Sequence, residues 1–411
     1  MVEWKPWTAS AIFAAVYAAL APGKVPGLRM DRPTIALAGA AAMLAFGVMD
    51  LREAAGSVDS STIVLLFSMM ILSGYLRLAG LFDAATEAVA VRKPGPTAML
   101  AIVVALSGML SAFFVNDVVC VALTPLIIGL CRRLGRPTVP YLVALATASN
   151  VGSTATITGN PQNMIIGSLS GISYARFAAR LGPIAVAGLA ITFAMVALVY
   201  RRALREESPP RPAPPPLRPC RARRGLLIRS GLVAAATVAA FFAGVPAAGA
   251  ALAAAAVLML DRLRPGRAYE SVDWPLLVMF MGLFAVVHGF ESNVVRLWDL
   301  SRLIGEGSSV VPLSLASVFL SNLVSNVPAV LLFEPLLAAI PDKEAGWLAL
   351  AMSSTLAGNL TLLGSVANLI VAEGARREGE DLGFLEYLKV GVPLTIVTVG
   401  VGIAWLALTS Y

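Results

Sequence analysis

Residues 232 to 244, LVAAATVAAFFAG, are apolar on every face, and similar runs follow one another from residue 7 to residue 408. An apolar stretch of about 20 residues is long enough to cross the hydrocarbon core of a bilayer as a helix. No water reaches the backbone in lipid, so a spanning segment must satisfy its amide and carbonyl groups within protein, which leaves helices and closed barrels. Barrel strands alternate polar and apolar side chains over about ten residues, and these runs do not alternate. The sequence therefore predicts an all-α polytopic membrane protein. Composition agrees, because 13% of the 411 residues are charged, about half the share in ordinary soluble domains, and mean hydropathy is +0.81. The apolar run behind Lys5 looks like a signal peptide and is expected to be retained as the first span.

Polar residues carry an internal duplication. VNDVVCVALTPLI (115 to 127) aligns with SNVPAVLLFEPLL (325 to 337), placing Asn116 on Asn326 and Pro125 on Pro335. TITGNPQNMII (156 to 166) aligns with TLLGSVANLIV (361 to 371), placing Thr156, Gly159 and Asn163 on Thr361, Gly364 and Asn368. Earlier in each half, Pro33 falls on Pro246 and Asp59 on Asp273. The blocks keep their order with offsets between 205 and 214, which shared hydrophobicity alone does not produce. The chain thus divides into a first repeat, 1–205, a Pro/Arg-rich linker, 206–225, and a second repeat, 226–411. Each repeat is expected to hold about five transmembrane helices including a broken one, plus a re-entrant helical hairpin. In the first repeat the spans fall near 8–22, 33–50, 60–82 and 183–200, with the hairpin at 96–131 and the broken helix at 139–170. In the second, the hairpin is 309–340 and the broken helix 345–372. Five crossings are an odd number, so the second copy sits upside down, an arrangement common in secondary transporters.

Charge orients this arrangement. The segment from Arg201 to Arg229 holds nine arginines against Glu206 and Glu207, and beside membrane spans the positive-inside rule accounts for it without a nucleic-acid partner. With the linker in the cytoplasm, the loops holding Lys24, Arg29 and Arg32, and Arg132, Arg133 and Arg136, also fall inside, as does that of Arg262, Arg264 and Arg267. Both termini then lie outside a cell inner membrane. The acidic loop from Glu373 to Lys389 fits this pattern less well. Cys120, Cys131 and Cys220 lack metal-ligand spacing, so neither a metal site nor a disulfide framework is implied. His288, the one histidine, reads as structural. No nucleophile–base pair appears, which argues against an enzyme, and no cofactor is expected beyond a coupling ion, proton or sodium.

The stretch ASNVGSTATITGNPQNMIIG, 148 to 167, interrupts this greasy background with small hydrogen-bonding side chains. Gly152, Gly159 and Pro161 disfavour a continuous helix, and irregular backbone at membrane depth is tolerated only where it is buried in protein or lines a wet cavity. Candidate ligands of a polar solute or ion are therefore Ser149, Asn150, Ser153, Thr154, Thr156, Thr158, Gly159, Asn160 and Asn163. Their counterparts are Ser354, Thr355, Asn359, Thr361, Gly364, Ser365 and Asn368. The hairpin tips add Asn116, Asp117, Ser325 and Asn326. Asp117 is the sole acid in a long apolar run, and an intramembrane acid is most often a proton or cation site; a helix cap is the plainer reading. Glu334 is the second acid within a span and a candidate for proton coupling. These polar stretches contain no Arg, Lys or His, so a neutral polyhydroxy solute suits them better than a multiply charged anion.

At these residues the chain resembles the ion transporter superfamily of ArsB-type arsenite permeases, NhaD-type sodium/proton antiporters, citrate carriers and divalent-anion/sodium symporters. SNVGSTATITGNPQNMIIG and TLAGNLTLLGSVANLIVAEGAR (355 to 376) are most similar to the signature stretches of plant silicon effluxers and related bacterial permeases. The resemblance implies a scaffold and a mobile transport region built from hairpins and broken helices, often in a homodimer working by an elevator motion. The tips depart from the Ser-Asn-Thr triplets of sodium-coupled dicarboxylate carriers, since VND and VSNVP stand there. The expected activity is proton-coupled efflux of arsenite, antimonite or silicic acid. Sodium-coupled uptake of carboxylates or sulfate, and sodium/proton exchange, are the alternatives.

Overall fold

The computed structural model describes residues 4–21, 30–205, 224–260, 265–294, 310–337, 340 and 342–409. The linker at 206–223 and the loop basic residues Lys24, Arg29, Arg262 and Arg264 lie outside them. The protein is all-helical. Its first half runs α1 (Trp4–Leu20), α2 (Arg32–Ala45), α3 (Leu51–Ser57), α4 (Ser60–Ala79), α5 (Leu81–Arg92), α6 (Pro96–Phe113), α7 (Asn116–Arg133), α8 (Thr138–Ser153), α9 (Pro161–Ser170) and α10 (Tyr174–Val199). The second half runs α11 (Arg224–Phe242), α12 (Ala247–Met259), α13 (Pro265–Tyr269), α14 (Trp274–Asn293), α15 (Val310–Val324), α16 (Asn326–Leu337), α17 (Lys343–Ala357), α18 (Val366–Arg377) and α19 (Phe384–Thr409). Among the described residues, α4, α6, α10, α11, α14 and α19 are long and apolar enough to cross a membrane, and α2, α12, α15 and α16 are shorter apolar helices.

Capping groups set boundaries that apolar patterning misses. The span expected at 183–200 begins at Tyr174, where Ser173 accepts a hydrogen bond from the Arg176 amide at 3.3 Å, and Pro183 lies inside the helix. The span expected at 33–50 stops at Ala45, and a separate short helix follows whose Asp50 and Glu53 form a capping box. The span expected at 60–82 ends on Gly80, whose φ of 85° is left-handed and costs glycine nothing.

Both polar stretches interrupt their helices. α8 ends at Ser153, a 3₁₀ turn covers Ile157–Gly159, and α9 restarts at Pro161 behind Asn160, whose side chain accepts from the Asn163 amide at 2.9 Å. The second half repeats this with α17, a turn at Leu362–Gly364, and α18 capped by Ser365. Gly159 is required here, because a Cβ on it would run into the Ser153 backbone.

Packing follows the duplication. α6 packs on α8 as α15 packs on α17, and α2 packs on α14 as α12 packs on α4. The second halves of the broken helices change partners: α18 lies against α7 and α8, while α9 lies against α16 and α17. Each repeat therefore completes the other's core. α6 and α8 meet so closely that a Cβ on Gly152 would strike the Gly108 backbone, whereas nothing lies within 4 Å of a Cβ on Gly231 of α11. Gly152→Ala is expected to cost about 1–3 kcal/mol through overpacking, measured as a lower unfolding temperature in detergent, while Gly231→Ala does not destabilise.

Candidate functional site

Hairpins and broken helices restart inside the protein, so the starts of six helices converge on one cavity of about 300 Å³. Asn116 and Asp117 open α7, Asn326 and Val327 open α16, Pro161 and Gln162 open α9, and Ser365 with Val366 opens α18. Facing them are Arg32 and Pro33 at the start of α2, and Asp273 and Pro275 at the start of α14. Helix starts carry partial positive charge, and two of these are already neutralised. Asp31 accepts from the Thr34 amide at 3.0 Å, and Asp273 from the Leu276 amide at 3.0 Å. The start of α7 has no side-chain cap, so Asp117 in its first turn does not serve as the helix cap. Asp117 is half-buried and forms no ion pair among the described residues.

The two tips present equivalent hydrogen-bonding groups. The Oδ1 atoms of Asn116 and Asn326 are buried and lack a hydrogen-bond donor. Ser325 holds a left-handed φ of 83°, a strained conformation for a residue with a Cβ, and its Oγ accepts from Arg32 Nη1 at 3.4 Å. Arg32 is half-buried and has no carboxylate partner among the described residues.

The remaining candidates divide sharply from this group, because they bond to one another. Asn163 Nδ2 donates to the carbonyls of Ser153 (3.1 Å) and Thr156 (3.0 Å). Asn368 Nδ2 donates to those of Gly358 (2.7 Å) and Thr361 (3.1 Å), the same contacts displaced by 205 residues. Asn150 then reaches across, donating to Asn359 Oδ1 at 2.9 Å and Asn368 Oδ1 at 3.0 Å while accepting from Asn116 and Ser365. Its counterpart Thr355 accepts from Asn160 (3.2 Å) and Gln162 (3.3 Å) and donates to Asn163 Oδ1 (3.3 Å). Ser149 meets Ser111, Thr154 bonds the Asn150 carbonyl, Thr156 that of Ala112, and Ser354 that of Ala351. Thr158 bonds the Tyr174 hydroxyl at 2.8 Å.

Asn116, Asp117, Ser325, Asn326 and Ser365 thus line the cavity, and the other polar candidates form the buried lattice behind it. Gly159 and Gly364 sit in the turns, and Glu334 lies on α16 away from the cavity lining. Arg32, Gln162, Asp31 and Asp273 are the cavity residues that sequence reasoning missed. The polar stretches contribute no Arg, Lys or His, and the cavity's guanidinium, Arg32, comes from a different helix, α2. A signal existed, since Asp273 is itself an aligned residue of the duplication and Arg32 immediately precedes the aligned Pro33.

Comparison with known proteins agrees with this architecture. A family model described as citrate transporter matches residues 15–347 and 293–410. The chain is 32% identical to the silicon efflux transporter LSI3 of Oryza sativa subsp. japonica, over 92% of this chain and 93% of that one. It is 26% identical to the putative transporter arsB of Dictyostelium discoideum, covering 92% and 87% of the two chains. Among solved structures, Neisseria gonorrhoeae MtrF, reported within a class of antimetabolite efflux pumps, shares the fold. Its TM-score is 0.62 at 13% identity, over 98% of this chain and 94% of that one. The Alcanivorax borkumensis YdaH transporter gives 0.59 at 15% identity, over 98% and 97%.

The two classes of asparagine should respond differently to truncation. Asn150→Ala strands four buried partners and is expected to cost at least about 2 kcal/mol. Asn326→Ala removes a group already lacking a donor and should leave stability within about 1 kcal/mol while impairing transport; thermal unfolding and flux, measured on both variants, check this.

Proposed function

This chain belongs to the citrate transporter family, and from that premise we propose that it is a secondary carrier for a small neutral metalloid hydroxide, working by proton-coupled efflux. It is a multi-pass membrane transporter and not an enzyme. The observation that carries the substrate reading is the pair of buried, donor-free amide oxygens of Asn116 and Asn326 at the cavity. A buried acceptor without a donor is costly, and hydroxyl groups of arsenite, antimonite or silicic acid supply donors to both. Three carboxylates, Asp31, Asp117 and Asp273, against the single Arg32 disfavour a multiply charged anion in the same space. The names of the silicon efflux and arsB relatives point the same way.

Alternating access follows the duplication. The paired packing of α2 on α14 and α12 on α4 supports a scaffold with inverted repeats, against which the hairpins and broken helices move as an elevator. A homodimer would hold such a scaffold still. With the arginine-rich linker in the cytoplasm and both termini outside the inner membrane, α2 and α14 begin on the cytoplasmic side, so the cavity opens inward. Asp117 is the coupling group, because it is the cavity carboxylate that caps no helix. Glu334 is a secondary candidate for proton transfer.

Sodium-coupled uptake of a carboxylate or sulfate is the second reading, favoured by the family's description and by Arg32. Sodium/proton exchange without another solute is a third. Proteoliposomes separate them. An imposed proton gradient should drive arsenite, antimonite or silicic acid without sodium, and Asp117→Asn should abolish gradient-driven accumulation while keeping downhill exchange. Metalloid flux that is absent, or sodium-dependent citrate flux, would reverse the assignment.

A further inference from the structure

The scaffold carries a second cavity of about 280 Å³, lined by Gly244, Val245 and Pro246 at the start of α12 and by Ser61 and Leu65 of α4. The repeat offsets of 213 and 214 place these residues on Asp31, Arg32, Pro33, Pro275 and Met279, all of which line the first cavity. The two cavities are therefore equivalent faces of one duplicated scaffold. They differ in what meets them. The hairpin tips face the first, whereas Ile157, Gly167 and Tyr174 face the second.

The equivalent faces also differ chemically at one position. Arg32 offers five N–H donors in a rigid fork, of which one reaches Ser325 Oγ at 3.4 Å, while Val245 offers none. Asn116, 4% exposed and with its Oδ1 lacking a donor, lines the same cavity as Arg32. A hydroxide solute both donates and accepts, so one bound between the tips would give its protons to Asn116 and Asn326 and take a hydrogen bond from Arg32. Ser325 retains a left-handed φ of 83° at the point where the tip meets Arg32, and strain of this kind persists where the surrounding structure over-determines it.

We propose that Arg32 binds a solute oxygen in one access state only, so that the carrier presents unequal affinities on the two faces of the membrane. This rests on the metalloid-carrier reading above. When the tips face the second cavity, Val245 stands where Arg32 stood and the charged donor is lost. The Arg32 face then loads and the Val245 face unloads, the asymmetry an effluxer uses if the first cavity opens to the cytoplasm.

The experiment measures KM for arsenite and for silicic acid from each face, in right-side-out and everted membrane vesicles carrying the full chain. Arg32→Gln is expected to raise KM roughly tenfold on one face, the loss of one charge-assisted hydrogen bond, and to leave the other face unchanged. Val245→Arg should lower KM on the opposite face, and it carries the test if Arg32→Gln does not fold. Equal changes on both faces, or none on either, overturn the proposal. Thermal-shift binding of the same solutes to purified protein separates the two readings. A wild-type protein that responds to neither solute sinks the metalloid assignment. A responsive wild type with identical binding in Arg32→Gln sinks the role of Arg32 alone.

Discussion

The structure depends on satisfying backbone carbonyls freed where two helices break inside the protein. Such groups cost several kcal/mol each in lipid, and here an asparagine amide clamps each break. Asn163 holds the carbonyls of Ser153 and Thr156, and Asn368 those of Gly358 and Thr361. Each clamp is itself held from the other repeat, by Thr355 and Asn150 respectively. The breaks are thus stable only with both repeats assembled, which is why α9 and α18 pack against the opposite half.

Once the breaks are sealed, their helix starts become available for function. Six starts meet at one cavity, two neutralised by Asp31 and Asp273, leaving Asp117 and Arg32 as its uncapped charges. The amide oxygens of Asn116 and Asn326 remain without donors in the same space. The lattice behind the cavity is internally hydrogen-bonded, while each tip in front of it keeps an amide oxygen without a donor.

Symmetry explains the parts that repeat and exposes those that do not. Asn163 and Asn368 occupy equivalent positions with equivalent contacts, and Asn116 and Asn326 occupy equivalent positions and each leave an Oδ1 without a donor. Asp117 aligns with Val327 and Arg32 with Val245. These unmatched charges lie in the cavity lined by both tips, beside Asp273, which the duplication pairs with Asp59.

Much of this was legible in the chain. Apolar runs and breaks within 139–170 and 345–372 follow from local composition, because lipid makes each span satisfy its backbone within itself, and the duplicated order of elements follows from the aligned polar residues. Element ends were less legible where Ser173, Asp50 and Gly80 decide them through single hydrogen bonds or one backbone angle. Which polar residues of the broken stretches face the cavity was not legible. Thr156 and Asn116 are both polar and buried, and only the tertiary packing aims one at the Ala112 carbonyl and leaves the other's Oδ1 without a donor. Arg32 reads in sequence as one more basic residue at a loop; the packing of α2 on α14 brings it to Ser325, across 293 positions of chain. The sequence by itself determined where helices form and break, since those are local balances of burial and hydrogen bonding. The tertiary structure alone decided which polar groups satisfy each other and which keep an oxygen without a donor, because those pairings join residues far apart in the chain.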